Sequence, residues 1–163
     1  MVAIVPAIGA AAEPGYGLPM FQHILVPTDG SPRSESAARG AVALARSLGG
    51  RITALTVKPE FHVFTLRPAE VEDTKSDSWD VDLHARNFLA VVEKAAQEAG
   101  VPYQGLTATS NHPWKVIVET ARAQGCDAIA MATHGRSGVA ELLLGSQTQR
   151  VLARANVPVI VYR

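Results

Sequence analysis

Asp127-Ala128-Ile129-Ala130-Met131-Ala132-Thr133-His134-Gly135, running on from Arg136 to Leu144 and closing with Gly145-Ser146, is the stretch on which the fold turns. The small apolar run from Ala128 to Ala132 suits a strand covered on both faces, as in a parallel sheet. Gly135, Gly138 and Gly145 then punctuate a loop where the backbone must turn sharply or approach something closely. Ser146-Gln147-Thr148-Gln149 reads as a capping box, with Ser146 as N-cap and Gln149 returning to its amide. The free amides and dipole of such a helix start make an anion site. The same pattern equally suits an ordinary strand–loop–helix connection with turn glycines.

Upstream, His23 to Thr28 (HILVPT) reads as a short apolar strand, followed by a turn at Asp29-Gly30. Ser31 is placed to cap a helix that has Pro32 at its first position. That helix carries Ala37, Ala38, Ala41, Val42, Ala45 and Leu48 on one face and stops at Gly49-Gly50. Arg51 to Val57 is rich in β-branched residues and completes a right-handed βαβ unit. Residues 58–76 hold no sustained period and read as a long irregular connection, a lid or binding loop. A helix is expected from about Asp77 to Gly100, a weaker strand over Tyr103–Thr109, and a helix from Pro113 that ends by Gly125. A helix from Ser146 to about Arg154 and a last strand over Val157–Arg163 complete the chain. Five strands alternating with four helices predict an α/β domain with an open, doubly wound parallel sheet.

At 163 residues the chain suits one domain. Lys+Arg and Asp+Glu both total 15, so no basic footprint points to nucleic acid. The 47% hydrophobic content excludes a disordered chain, and no segment is long and apolar enough to read as a membrane span. The lone Cys126, at the entry to a buried strand, reads as inert and fits a reducing cytoplasm. Residues 1–19 are apolar but rich in Pro and Gly, and no Lys or Arg precedes Arg33. They therefore read as an irregular extension rather than a signal peptide, with the domain proper at 20–163 and Met20 as an alternative start. His62, His84 and His112 lie on separate elements, so no metal site is assigned.

In such sheets ligands lie beyond the carboxyl ends of the strands, where strand order switches. Asp29 after the first strand and the glycine loop after the fourth converge there. An acid can take ribose hydroxyls or an adenine amine while backbone amides take phosphates. Alone, Asp29 suits a helix-capping turn just as well.

The pairing of HILVPTDGS (23–31) with MATHGRSG (131–138), LLLGS (142–146) and NVPVIVYR (156–163) resembles the universal stress protein family from Met20 to Arg163. The resemblance implies a Rossmann-like sheet of strand order 3-2-1-4-5, a cytoplasmic protein, and a homodimer through the last strand (157–163). In the family's nucleotide-binding branch the loop reads Gly, two residues, Gly, nine residues, Gly, then Ser or Thr. Here the second and third glycines are Gly135 and Gly145, followed by Ser146, while Ala132 stands where the first belongs. The implied ligand is ATP, or ADP or AMP, with Mg²⁺ where the nucleotide brings it. The implied nucleotide site takes in Asp29 for the ribose or adenine, Val57 beside the adenine and Met131 against the base, with Pro27, Thr28 and Ala132 also in it. Gly135, Arg136, Gly138, Gly145, Ser146, Gln147 and Thr148 would take the phosphates, although an exposed, unengaged Arg136 is the plainer reading. No Walker lysine follows the glycines, so at most slow ATP hydrolysis is expected and no catalytic residue is assigned. The alternative is a nucleotide-free dimeric interaction module of the same family, which Ala132 favours. A lone acid after the first strand and Ala108-Thr109-Ser110 after the third argue against a receiver domain.

Overall fold

In the computed structural model the described residues are 3–5, 20–60, 71–135 and 144–163, with backbone alone for 3–5 and 71–80. In chain order the elements are β1 (Ala3–Val5), β2 (His23–Pro27), α1 (Pro32–Leu48), β3 (Arg51–Lys58) and α2 (Val71–Ala99). Then come β4 (Tyr103–Thr109), α3 (Pro113–Ala123), β5 (Ala128–Ala132), α4 (Ser146–Leu152) and β6 (Val159–Tyr162). The strands form one sheet in the order β1-β6-β5-β2-β3-β4. The five from β2 to β6 are mutually parallel, and counted among themselves they take the expected order 3-2-1-4-5. The switch of order falls between β2 and β5, which pair through Ile24 with Ala128 and Leu25 with Ile129.

Alternation along the strands sorts the core onto the two faces of the sheet. Ile24, Val26, Ala128, Ala130 and Ile160 face α1 and α2, where they meet Ala38, Ala41, Val42 and Val92. Leu25, Ile129, Met131, Val159 and Val161 face α3 and α4, where they meet Ile117, Ala121 and Val151. Each fully buried Ile, Leu or Val contributes roughly 1.5–3 kcal/mol, so a side chain turned to the wrong face would be costly. The alanines of α1 let it approach the sheet closely. At Gly40 the approach is tighter still: an added Cβ would lie 2.3 Å from the Tyr162 ring.

Helix α1 is bounded as its sequence predicts. Ser31 is extended and its hydroxyl accepts the Ser34 amide, Pro32 takes the first turn, and Gly49 ends the helix at φ 66°. Leu48 is the exception to the predicted buried face: it is 40% exposed, three positions past Ala45 and the last residue of the helix. Cys126 is buried, and that burial pushes its thiol up to about 11, which makes it unreactive at neutral pH.

Two boundaries differ from the sequence reading. Helix α2 begins at Val71, inside the stretch expected to be irregular. The sequence of its first turns carries no apolar period. Residues 61–70 lie outside the described set. Within the segment expected to be irregular, Ala3–Val5 forms β1, paired antiparallel with β6 through Ala3 with Val161, Ile4 with Ile160 and Val5 with Val159. Its short apolar run meets an edge strand that offers unpaired backbone groups. The edge expected to receive a second copy thus carries this chain's own strand.

Candidate functional site

The carboxyl ends of β2 and β5 bring the two predicted motifs into contact. Beyond Pro27, the Thr28 amide donates to the Leu55 carbonyl at 2.9 Å, extending the β2–β3 pairing by one residue. The buried Thr28 hydroxyl meets Ser34 Oγ at 3.2 Å and accepts from the Gly30 amide at 3.3 Å. The Thr28 carbonyl accepts the Thr56 hydroxyl at 3.2 Å. Thr28 is therefore a strut between the strand end and α1, and its hydroxyl faces the protein rather than a ligand. Gly30, at φ 72°, turns the chain into the helix. A side chain there would collide with the Phe88 ring, at 2.1 Å from an added Cβ.

Between these fixed points Asp29 is aimed across the switch point. Its Oδ1 accepts the Ser31 amide at 3.1 Å, an Asx-type turn that sets the carboxylate. Its Oδ2 lies 2.3 Å from where a Cβ on Gly135 would stand. Only a residue without a side chain lets the β5 loop pass so close to that carboxylate. The glycine loop then returns to its own origin: the Gly145 amide donates to the Thr133 carbonyl at 2.8 Å. A Cβ on Gly145 would sit 3.1 Å from that carbonyl and 3.4 Å from His134 Cα. His134 is buried beneath this closure. Asp29, Gly135, Gly145 and the exposed Ser146 therefore share one rim of the sheet. Arg136 and Gly138 lie outside the described residues.

The helix start is built differently from the expected capping box. Gly145, extended at φ −58° and ψ 149°, is the N-cap, and its carbonyl accepts the Gln149 amide at 3.0 Å. Ser146 is thus the first helical residue, and the Gln149 side chain donates to the Leu144 carbonyl at 2.7 Å instead of to Ser146. Two further expected phosphate contacts are engaged elsewhere. The buried Thr148 hydroxyl donates to the Ala132 carbonyl at 3.0 Å and ties α4 to the strand end. Gln147 Oε1 accepts the Trp114 amide at 3.1 Å and so caps the first turn of α3, which His112 leaves without a side-chain cap. The backbone amides of Ser146 and Gln147, by contrast, fall in the first turn, where a helix offers no internal partner.

Of the other expected site residues, Val57 is half-buried at the end of β3, and Met131 and Ala132 are both buried at the end of β5. Met131 belongs to the core on the α3–α4 face. Among the described residues Phe21 is the only non-glycine with positive φ, so Ala132 sits in a backbone conformation that any residue adopts. Trp114 packs against the protein: the Arg154 guanidinium lies 4.7 Å over its ring.

Sequence reasoning did not find the rest of this rim. Phe88 on Gly30 and the 2.5 Å ion pair from Lys58, at the end of β3, to Asp82 on α2 join segments far apart in the chain. Lys58 holds the Asp82 carboxyl below its ordinary value, chiefly through the hydrogen bond. Chemically the rim offers one carboxylate, glycine clearances and first-turn amides, which suits holding a ligand that has both hydroxyls and anionic groups.

The family model for the universal stress protein family matches residues 20–163. A universal stress protein of Methanocaldococcus jannaschii is 32% identical over 149 residues, covering 88% of this chain and 83% of that protein. A solved universal stress protein in complex with cAMP superposes with TM-score 0.67 at 23% identity, over 88% of this chain and 98% of that one. One from Archaeoglobus fulgidus in complex with dAMP gives TM-score 0.63 at 20% identity, over 88% of this chain and 99% of that one. With the strand order, the meeting of Asp29 with Gly135 and this match over residues 20–163, the chain belongs to the universal stress protein family.

Proposed function

We propose that this protein binds an adenine nucleotide, ATP in the first place, on the rim formed by Asp29, Gly135, Gly145 and Ser146. The carrying observation is the approach of the Asp29 carboxylate to Gly135, which brings an acid and a glycine-lined turn to one point of the sheet. In this reading Asp29 takes the ribose hydroxyls, Val57 and the β5 end flank the base, and the amides of Ser146 and Gln147 take phosphate. Mg²⁺ accompanies the triphosphate. The solved relatives in complex with cAMP and dAMP support an adenine nucleotide as the ligand class. The ordinary backbone at Ala132 supports it too, since the alanine brings no strain to the place where the family pattern has glycine.

The reading is of a nucleotide-responsive stress or signalling protein rather than a turnover enzyme. Two hydroxyls at this rim have structural partners: Thr28 meets Ser34 Oγ, and Thr148 donates to the Ala132 carbonyl. Isothermal calorimetry with ATP, ADP, AMP and cAMP on the full chain and on Asp29→Ala tests it. The expected result is one site per chain, weakened at least about tenfold in the variant, as loss of a charged hydrogen bond predicts. Absence of binding by every nucleotide would overturn the reading and leave a nucleotide-free interaction module.

A further inference from the structure

Without β1, strand β6 would be the open edge of the sheet. Its backbone shows which groups would then be unpaired. The Pro158 and Tyr162 carbonyls bond to the Ile129 and Thr133 amides of the β5 side, at 3.0 and 2.9 Å. Alternation turns the amides and carbonyls of Val159 and Val161 to the opposite side, toward β1. The strand reads Val-Ile-Val-Tyr, with no charge and no proline within it, so it lacks the usual protections of an edge.

An open edge of this kind accepts one more strand. Two copies related by a two-fold axis would bring β6 against β6 in antiparallel sense, the sense in which β1 already lies. Residues 3–5 also stand outside the shared domain: the family model begins at residue 20, and a relative matched over 99% of its own length covers only 88% of this chain.

We propose that Ala3–Val5 is a guard strand that competes with a second copy of this chain for the outer edge of β6. A tethered segment acts at an effective concentration on the order of millimolar, so a three-residue strand outcompetes a second copy at low protein concentration. Loss of the guard, or crowding of the chain, frees Val159 and Val161 to pair with their counterparts in another copy.

Sedimentation velocity over a wide concentration series, on chains 1–163 and 20–163, tests the proposal. The shorter chain is expected to dimerise at least about tenfold more tightly than the longer one. Val5→Pro in the full chain removes the amide opposite Val159 and should reproduce the tighter dimer, which covers the case in which the shorter chain does not fold. Val161→Pro in the shorter chain removes an outward amide but no bond to β5, and should return it to monomer. Equal association of all four chains would overturn the proposal, as would a 20–163 chain that stays monomeric. A dimer that is tighter with residues 1–19 present would mean strand exchange between copies instead of guarding. A dimer that survives Val161→Pro would place the contact away from β6.

Discussion

The two ends of the parallel sheet both gather polar groups, and they handle them in opposite ways. At the amino end the groups satisfy one another. Asp127 accepts the Gln22 and His23 amides at 2.7 and 3.0 Å, which ties the start of β2 to the start of β5. His23 lies buried, with Nε2 at 2.7 Å from Thr53 Oγ1 and Nδ1 at 3.0 Å from the Arg51 guanidinium. Since the guanidinium can only donate, Nδ1 is the acceptor and Nε2–H donates to the threonine. At the carboxyl end, bonds such as Thr28 to Ser34 and Thr148 to the Ala132 carbonyl fix the frame, and clearances shape the rim: Gly135 against Asp29, Gly145 against Thr133, Gly30 against Phe88. One end is a closed network that resists change. The other keeps backbone amides and a carboxylate at a surface, which is where a ligand can use them.

The sharpest way to break this contrast is to fill a clearance. Gly145→Val puts a branched side chain where one Cβ already lies 3.1 Å from the Thr133 carbonyl, at a φ of −58° that valine tolerates. The fold should survive by circular dichroism while nucleotide affinity falls at least about a hundredfold, roughly 2.7 kcal/mol. Unchanged affinity by calorimetry would mean that the loop closure does not face the ligand.

The amino end should answer to pH and to loss of a partner. Burial first, and the Arg51 charge second, hold the His23 pKa below its ordinary 6.5, against the pull of Asp127. The unfolded chain therefore takes up a proton near pH 6.5 that the folded chain refuses. Stability is complete above that pH and declines as pH falls below it, until the lowered folded pKa is passed. Urea unfolding across this range should show the decline in the wild type and a flatter profile in His23→Gln. Thr53→Val leaves the buried Nε2–H without its acceptor and should cost about 1–3 kcal/mol at pH 7.5, with nucleotide affinity unchanged. Any loss of affinity would show that the two ends communicate.

What could be read from the sequence was whatever is decided within a few residues. The Ser31 cap, Pro32 and the Gly49 stop are local chemistry, and α1 has those limits. The parallel sheet followed from the alternation of elements, its strand order from the resemblance to the universal stress protein family, and Asp29 and Gly135 were placed at one point by the general rule for such sheets. The capping box was misplaced by one residue because glycine and serine are both acceptable N-caps, and only the Gly145 carbonyl, bonded to Gln149, decides between them. The start of α2 escaped because the sequence of its first turns carries no apolar period to mark it. Strand β1, Phe88 over Gly30 and the Lys58–Asp82 pair escaped for another reason: each joins segments that no local pattern connects.

A double-mutant cycle tests the meeting of the two motifs itself. Gly135→Ala places a methyl 2.3 Å from Asp29 Oδ2 and should cost about 1–2 kcal/mol by overpacking. In an Asp29→Ala background the obstruction is gone, and the same substitution should cost less by about 1 kcal/mol. Additive losses in thermal unfolding would mean that Gly135 owes its place to something other than the carboxylate.

The smallest expected effect separates a helix that presents its amides from one that presents its side chains. Gln147 could be read from sequence as a phosphate contact, yet its Oε1 accepts the Trp114 amide and caps α3 from outside. Gln147→Ala should then behave as loss of a cap, lowering stability by about 1 kcal/mol. Affinity for ATP should stay within about twofold, because the amide of residue 147 remains in the first turn of α4 whatever its side chain. Reduced affinity with stability intact would reverse the assignment, making the side chain the ligand contact and the bond to Trp114 incidental.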